Sequence, residues 1–230
     1  MKERPILFNG AMVRAILDGR KTQTRRIVSK RSAYADGIVG CIAYDCIGPR
    51  IDDASTFALL TAGDQGFEEC ACPYGTVGDR LWVRETFFYE NFMHDQTVGE
   101  PDLPDGRYTH RLVHRASRPD YPLAGSEHWK PSIFMPRWAS RITLEITAVR
   151  VERLQDITRT DIRAEGVMIP AHMSNEESYK QAYYDAWVNL WDSINGNRKD
   201  KHGNRLPYAW LDNPWVFVIE FKMIDSKKDC

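Results

Sequence analysis

Between positions 19 and 26 the chain reads Gly-Arg-Lys-Thr-Gln-Thr-Arg-Arg, placing a lysine, three arginines and three hydroxyl or amide side chains within eight residues. Lys21 and Thr24 stand three apart, so a tight turn brings both heads to one small pocket. A threonine hydroxyl is inert unless a base takes its proton. A lysine takes it when burial and nearby cations depress its pKa, and Arg20, Arg25 and Arg26 are placed to contribute that depression. The same groups also hold a ligand without reacting, with lysine on a phosphate or carbonyl and threonine on a base edge. A plainer reading is a basic helix end that complements the helix dipole.

The elements that position this stretch follow from periodicity. Residues 5–8 read as an entry strand. From 9 to 18, Met12, Val13, Ile16 and Leu17 share one helical face, Asn9 suits the N-cap, and Gly19 suits a left-handed helix end. A strand begins near Ile27 and Val28. The alternation in Arg80-Leu-Trp-Val-Arg-Glu85 and in 141–154 predicts two further strands, and Trp215 to Phe221 predicts a last one. Thr158 and Asp161 form a capping pair for a helix of under two turns that Gly166 closes. Glu165 is then the last helical residue. A carboxylate there faces the unfavourable end of the dipole, so a partner such as a lysine rationalises it.

Ser174 with Glu177 opens the longest helix, to Ile194, whose apolar stripe of Tyr179, Ala182, Tyr183, Ala186, Trp187, Leu190, Trp191 and Ile194 is core. A polar loop, 195–204, reads as mobile. The fold class is α+β.

Two stretches interrupt this plan, 29–75 and 86–137, and both read as loop-rich insertions with short strands. The first carries Cys41, Cys46, Cys70 and Cys72. Four thiols suit tetrahedral zinc, but the spacing is not a pair of C-x-x-C knuckles, and reduced, half-buried cysteines are the plainer reading. Around the second, Trp129, Arg137, Trp138 and Arg141 interleave aromatic rings with cations, as a base-stacking, phosphate-contacting surface requires. Packing of both tryptophans is the alternative. Arg84 and Glu85 at a strand end suit either an ion pair or a place in the pocket.

With 31 basic and 32 acidic residues, the chain excludes a wholesale nucleic-acid coat, and any such contact comes from a local basic patch. No apolar run reaches membrane-span length, the first residues lack an apolar signal region, and five cysteines do not pair off as a secreted disulfide framework. The expectation is a cytoplasmic protein with no membrane partner.

The pattern Gly-x-Lys-x-x-Thr-x-Arg resembles the signature of the ASCH domain, a branch of the PUA-like β-barrel superfamily. The order that follows is similar too: Gly-Asp and a strand, a long strand, a Thr-capped helix ending in Glu-Gly, a longer helix and a final Val-Ile-Glu-Phe-Lys strand. The likeness covers about 1–28, 76–85 and 138–222 and leaves the insertions outside it. Small bacterial ASCH proteins hydrolyse N4-acetylcytidine, and the opening Pro-Ile-Leu-Phe and Gly-Asp-Arg-Leu-Trp-Val-Arg-Glu also look like phage and prophage ASCH-containing proteins. The resemblance implies one PUA-like barrel with flanking helices over 1–230, a catalytic set of Lys21, Thr24 and Glu165, and no cofactor. In such a set Glu165 orients Lys21 or passes the proton to the leaving amine. Arg20, Arg26, Arg84, Glu85, Trp129, Arg137, Trp138 and Arg141 are the expected substrate-binding residues, and the partner is a modified nucleoside or RNA. A non-catalytic RNA-binding module is the alternative. A ribonuclease is another, although Glu85, Glu165 and the scattered histidines supply no convincing metal-ligand set.

Overall fold

A computed structural model describes residues 1–28, 45–50, 53–60, 67–92, 108–123, 128–169 and 176–226. In chain order its elements are β1 (Glu3–Leu7), α1 (Gly10–Leu17), β2 (Gln23–Ile27), β3 (Asp45–Arg50), β4 (Asp53–Leu60), β5 (Phe67–Ala71), β6 (Arg80–Arg84), β7 (Phe87–Phe92), β8 (Tyr108–His114), β9 (Ile142–Arg153), α2 (Arg159–Ala164), α3 (Glu176–Asn195) and β10 (Trp215–Ser226). The class is mixed α+β. Hydrogen bonding orders five strands as β1-β6-β9-β10-β2, three more as β3-β4-β5, and pairs β7 with β8. No helix among the described residues is long and apolar enough to cross a membrane.

The chain divides into two compact units, each assembled from separate segments. The first comprises Met1–Gly19, Arg80–Glu145 and Met223–Cys230. Here β1 runs parallel to β6, with Ile6 opposite Val83, and β6 pairs antiparallel with the start of β9, Leu81 opposite Leu144. These four side chains are almost fully buried, which is why the alternation was legible. Asn9 caps α1 by accepting from the Met12 amide, and the chain leaves the helix through Gly19 at φ 71°, a conformation that disfavours a side chain. The β7–β8 hairpin lies within the segment expected as the second insertion.

The second unit comprises Arg20–Asp79 and Ile146–Lys222. Its core joins Ile162 of α2, Tyr183, Trp187 and Trp191 of α3, and Val216 and Val218 of β10. The α3 stripe ends earlier than its periodicity suggests: Ile194 is 45% exposed, and Asn195 is buried in the last turn, donating to the Trp191 carbonyl. The expected cap at Ser174 lies outside the described residues. The loop after α3, expected to be mobile, is tied by Asp200, whose carboxylate accepts from the His202 and Asn204 amides. Within the segment expected as the first insertion, β3, β4 and β5 form an antiparallel meander.

Candidate active site

The stretch 19–26 is not a turn throughout. Only Gly19 turns; Lys21 already bridges to Glu165, and β2 begins at Gln23. The reason is β10, which runs antiparallel beside it: Thr24 lies opposite Ile219, Arg25 opposite Val218, and the Phe221 amide donates to the Thr22 carbonyl. A paired strand alternates its side chains between two faces, so Lys21, Gln23 and Arg25 share one face, with Thr24 and Arg26 on the other.

The first face meets α2. Lys21 Nζ donates to Glu165 Oε2 at 2.7 Å and to the Glu165 carbonyl at 2.9 Å. Arg25 Nη1 donates to the other carboxylate oxygen of Glu165 at 3.2 Å, and its Nη2 to Glu152. Gln23 donates to the Asp161 carbonyl at 3.1 Å, and the Thr22 amide to the Ala164 carbonyl at 2.8 Å. Arg20 Nη1 donates to the Gly166 carbonyl at 3.2 Å. The Ala164 and Glu165 carbonyls at the end of α2 are thus satisfied by Thr22 and Lys21, just ahead of β2. Two cations on a carboxylate at a helix C-terminus also offset the unfavourable dipole.

The pair is dry: Lys21 is 2% exposed and Glu165 4%. Burial holds the Lys21 ammonium below its ordinary value, against the charge and hydrogen bond of Glu165, and Arg26 and Arg25 lower it further. Outward from the pair, Glu152 links Arg25 to Arg150, and Arg150 also bonds Asp161 and Glu220. Asp161 sits below the usual carboxylate value; burial opposes this, but the Thr158 hydrogen bonds and the Arg25 charge outweigh it.

Thr24 is buried on the opposite face and, among the described residues, makes no hydrogen bond to Lys21 or Glu165. Arg26 shares that face, with its guanidinium 5.8 Å from the Tyr74 ring centre. Of the expected set, Lys21 and Glu165 are in contact, while the strand separates Lys21 from Thr24 by face.

No protein-family model, curated protein or solved structure matches this chain.

The remaining expected substrate-binding residues all fall in the first unit. Glu85, 1% exposed, takes two hydrogen bonds from Arg141, at 2.9 and 3.1 Å, and Arg141 also donates to Ser117 Oγ at 2.8 Å. Glu85 thus makes the ion pair considered for this strand end, across to Arg141 just ahead of the neighbouring β9. Arg84 donates to the Met135 carbonyl and lies over Trp82, 4.9 Å from the ring centre. Arg137 pairs with Glu3 at 3.0 Å. Trp138 meets Tyr89 edge-on, and Trp129 meets Phe88 and Tyr121 edge-on, so both tryptophans pack against aromatic neighbours.

Among the described residues no group of three or more histidine, cysteine or acidic side chains is arranged to hold a metal. Cys72 is buried. Along the backbone, Cys46 stands opposite Leu59 and Cys70 opposite Phe57, on the two sides of β4; Cys41 lies outside the described residues.

Sequence reasoning missed Gln23, Glu152 and Asp161, and treated Arg25 only as a neighbouring cation. The signal was present: Lys21, Gln23 and Arg25 recur at the strand period of two. Treating 19–26 as one turn concealed it.

Proposed function

We propose that this chain is an ASCH-type hydrolase with a PUA-like barrel, cleaving the N-acyl amide of a modified cytidine, as a nucleoside or within RNA. The observation that carries the reading is the dry Lys21–Glu165 pair, flanked by Arg25 and Arg26. Burial and two guanidiniums favour the neutral amine that a general base requires, and Arg25 fixes the carboxylate that faces it.

In this reading Thr24 Oγ attacks the acyl carbonyl carbon, and its proton passes to neutral Lys21 Nζ. Arg26, two residues along the same strand face, places positive charge where the tetrahedral oxyanion develops. The C–N bond then breaks, the exocyclic nitrogen takes a proton through Lys21 and Glu165, and water hydrolyses the acyl-threonine. Because Thr24 and Lys21 lie on opposite faces of the strand, this step requires residues 21–24 to leave their pairing locally when substrate binds, bringing the hydroxyl to Lys21 Nζ. Incubation with N4-acetylcytidine, followed by chromatography of cytidine, tests the reaction; absence of product across a panel of acylated nucleosides removes it.

A second reading is a PUA-like module that binds a modified base without turnover. It is favoured by the position of Thr24 on the strand face opposite Lys21. Under it, Lys21→Ala weakens ligand affinity and no acyl bond is cut.

A further inference from the structure

The turn that follows β8 gathers cations that the hydrolytic chemistry does not use. It reads Arg115-Ala-Ser-Arg118, and the Ser117 and Arg118 amides close it by donating to the His114 carbonyl, each at 3.1 Å. Ala116 is buried, while Arg115, Ser117 and Arg118 are exposed. Arg14, exposed on α1, reaches the same turn and donates from Nη1 to the Ala116 carbonyl at 3.1 Å. Arg141 supports it from beneath, donating from Nη1 to Ser117 Oγ at 2.8 Å. Four guanidiniums are thus carried by, or bonded to, one four-residue turn, all within the first unit.

Three of the four have no counter-charge. Glu85 neutralises Arg141. Among the described residues Arg14, Arg115 and Arg118 make no ion pair, and Asp120, two residues further on, bonds to none of them. The turn is nevertheless held firmly. The Arg115 amide donates to the Thr86 carbonyl at 3.0 Å, and its guanidinium lies over Trp129, 5.8 Å from the ring centre. Trp129 is itself braced edge-on by Phe88 and Tyr121. A guanidinium stacked on a ring keeps its N–H edge free, and that planar edge matches two oxygens of a phosphate. Ser117 accepts from Arg141, which leaves its own O–H to donate outward.

Exposed cations gain little from one small partner, because water screens each contact. They gain from a polyanion, where every neutralised phosphate also releases condensed counterions. The whole chain carries a formal net charge of −1, so any such attraction is local to this patch. We propose that the turn 115–118, with Arg14 beside it, is a contact surface for the phosphodiester backbone of a nucleic acid. Arg14, Arg115 and Arg118 take phosphate oxygens, and Ser117 donates one hydrogen bond. Trp129 and Arg141 position the turn without touching the ligand. Contacts of this kind read phosphates, so binding is independent of base sequence. The surface goes beyond the acyl chemistry proposed for Lys21, Thr24 and Glu165 and uses none of those residues.

Fluorescence anisotropy tests it, with a short labelled RNA of mixed sequence, single-stranded and as a duplex, and the corresponding DNAs. The unaltered protein is expected to bind at about 50 mM salt and to weaken steeply towards about 200 mM, with a log–log slope near −2 for three phosphates of a single strand. In Arg118→Ala, whose side chain bonds to nothing among the described residues, that slope flattens by about 0.7, and Arg118→Lys retains it. Arg115→Glu with Arg118→Glu weakens binding at least about tenfold. Lys199→Glu with Lys201→Glu makes the same change in net charge on an exposed loop of the second unit, and is expected to stay within about threefold of the unaltered protein. Whichever of single strand and duplex binds tighter names the form recognised. Absence of saturable binding to every probe overturns the surface. So does an equal loss in the two double reversals, which would assign binding to overall charge, or equally tight binding of polyglutamate. None of these readouts involves turnover of N4-acetylcytidine, so the surface and the hydrolase stand or fall separately.

Discussion

Lys21 binds Glu165 through two atoms at once, donating to its carboxylate and to its main-chain carbonyl. One lysine thereby fixes both the side chain and the last turn of α2 relative to the start of β2. The same contact that sets up a proton-transfer pair also holds the local fold.

That double role predicts a stability cost. Removing one partner from a buried ion pair typically costs about 3–5 kcal/mol. Lys21→Met is expected at the lower end, about 3 kcal/mol, because Arg25 still neutralises Glu165. In a double-mutant cycle with Glu165→Gln, the combined loss falls short of the sum by about 1 kcal/mol or more. Urea unfolding measures all four proteins, and strict additivity would remove the direct coupling.

Activity tests need substitutions that spare this contact. Thr24→Ala is expected to abolish hydrolysis of N4-acetylcytidine and to leave ligand affinity within about threefold, whereas Thr24→Ser retains turnover. Full hydrolysis in Thr24→Ala excludes threonine as nucleophile. With Lys21 as the base, the rate rises with pH through a pKa below the ordinary lysine value of 10.5. A rate with no such limb contradicts that role.

Acid stability reports on Asp161. Its folded pKa is below the ordinary 3.8, so the unfolded chain binds the proton more tightly. The stabilisation is complete above about pH 4 and is lost as pH falls through the folded pKa. Asp161→Asn is expected to lower stability at pH 7 and to flatten the acid limb below about pH 4. Unfolding midpoints across that range check it; an unchanged limb would show that other carboxylates dominate.

In the first unit, Arg141 holds Glu85 through two hydrogen bonds in a nearly dry setting. Arg141→Ala should destabilise the protein by about 3–5 kcal/mol, since a buried carboxylate is left without its cation. Arg141→Lys should recover only part of this, because an ammonium does not reproduce the two-pronged geometry. Near-wild-type unfolding of Arg141→Ala would reassign the pair to a solvated, functional position.

The sequence by itself determined what depends on near neighbours. Asn9 and Gly19 bound α1, Thr158 and Asp161 start α2, Gly166 at φ 85° follows its end, and alternation marks β6, β9 and β10. Capping and burial periodicity act over a few residues, so residue order suffices to read them. Tertiary structure alone decided the rest. Whether 21–26 is turn or strand depends on β10, supplied almost two hundred residues later, and that pairing puts Lys21 and Thr24 on different faces. Glu165 carries a sequence hint of a cationic partner, yet nothing local says that Arg25 takes its second oxygen or that Arg141 takes Glu85. Such pairings are fixed where a buried charge must find a counter-charge in three dimensions, and chain order does not encode that distance.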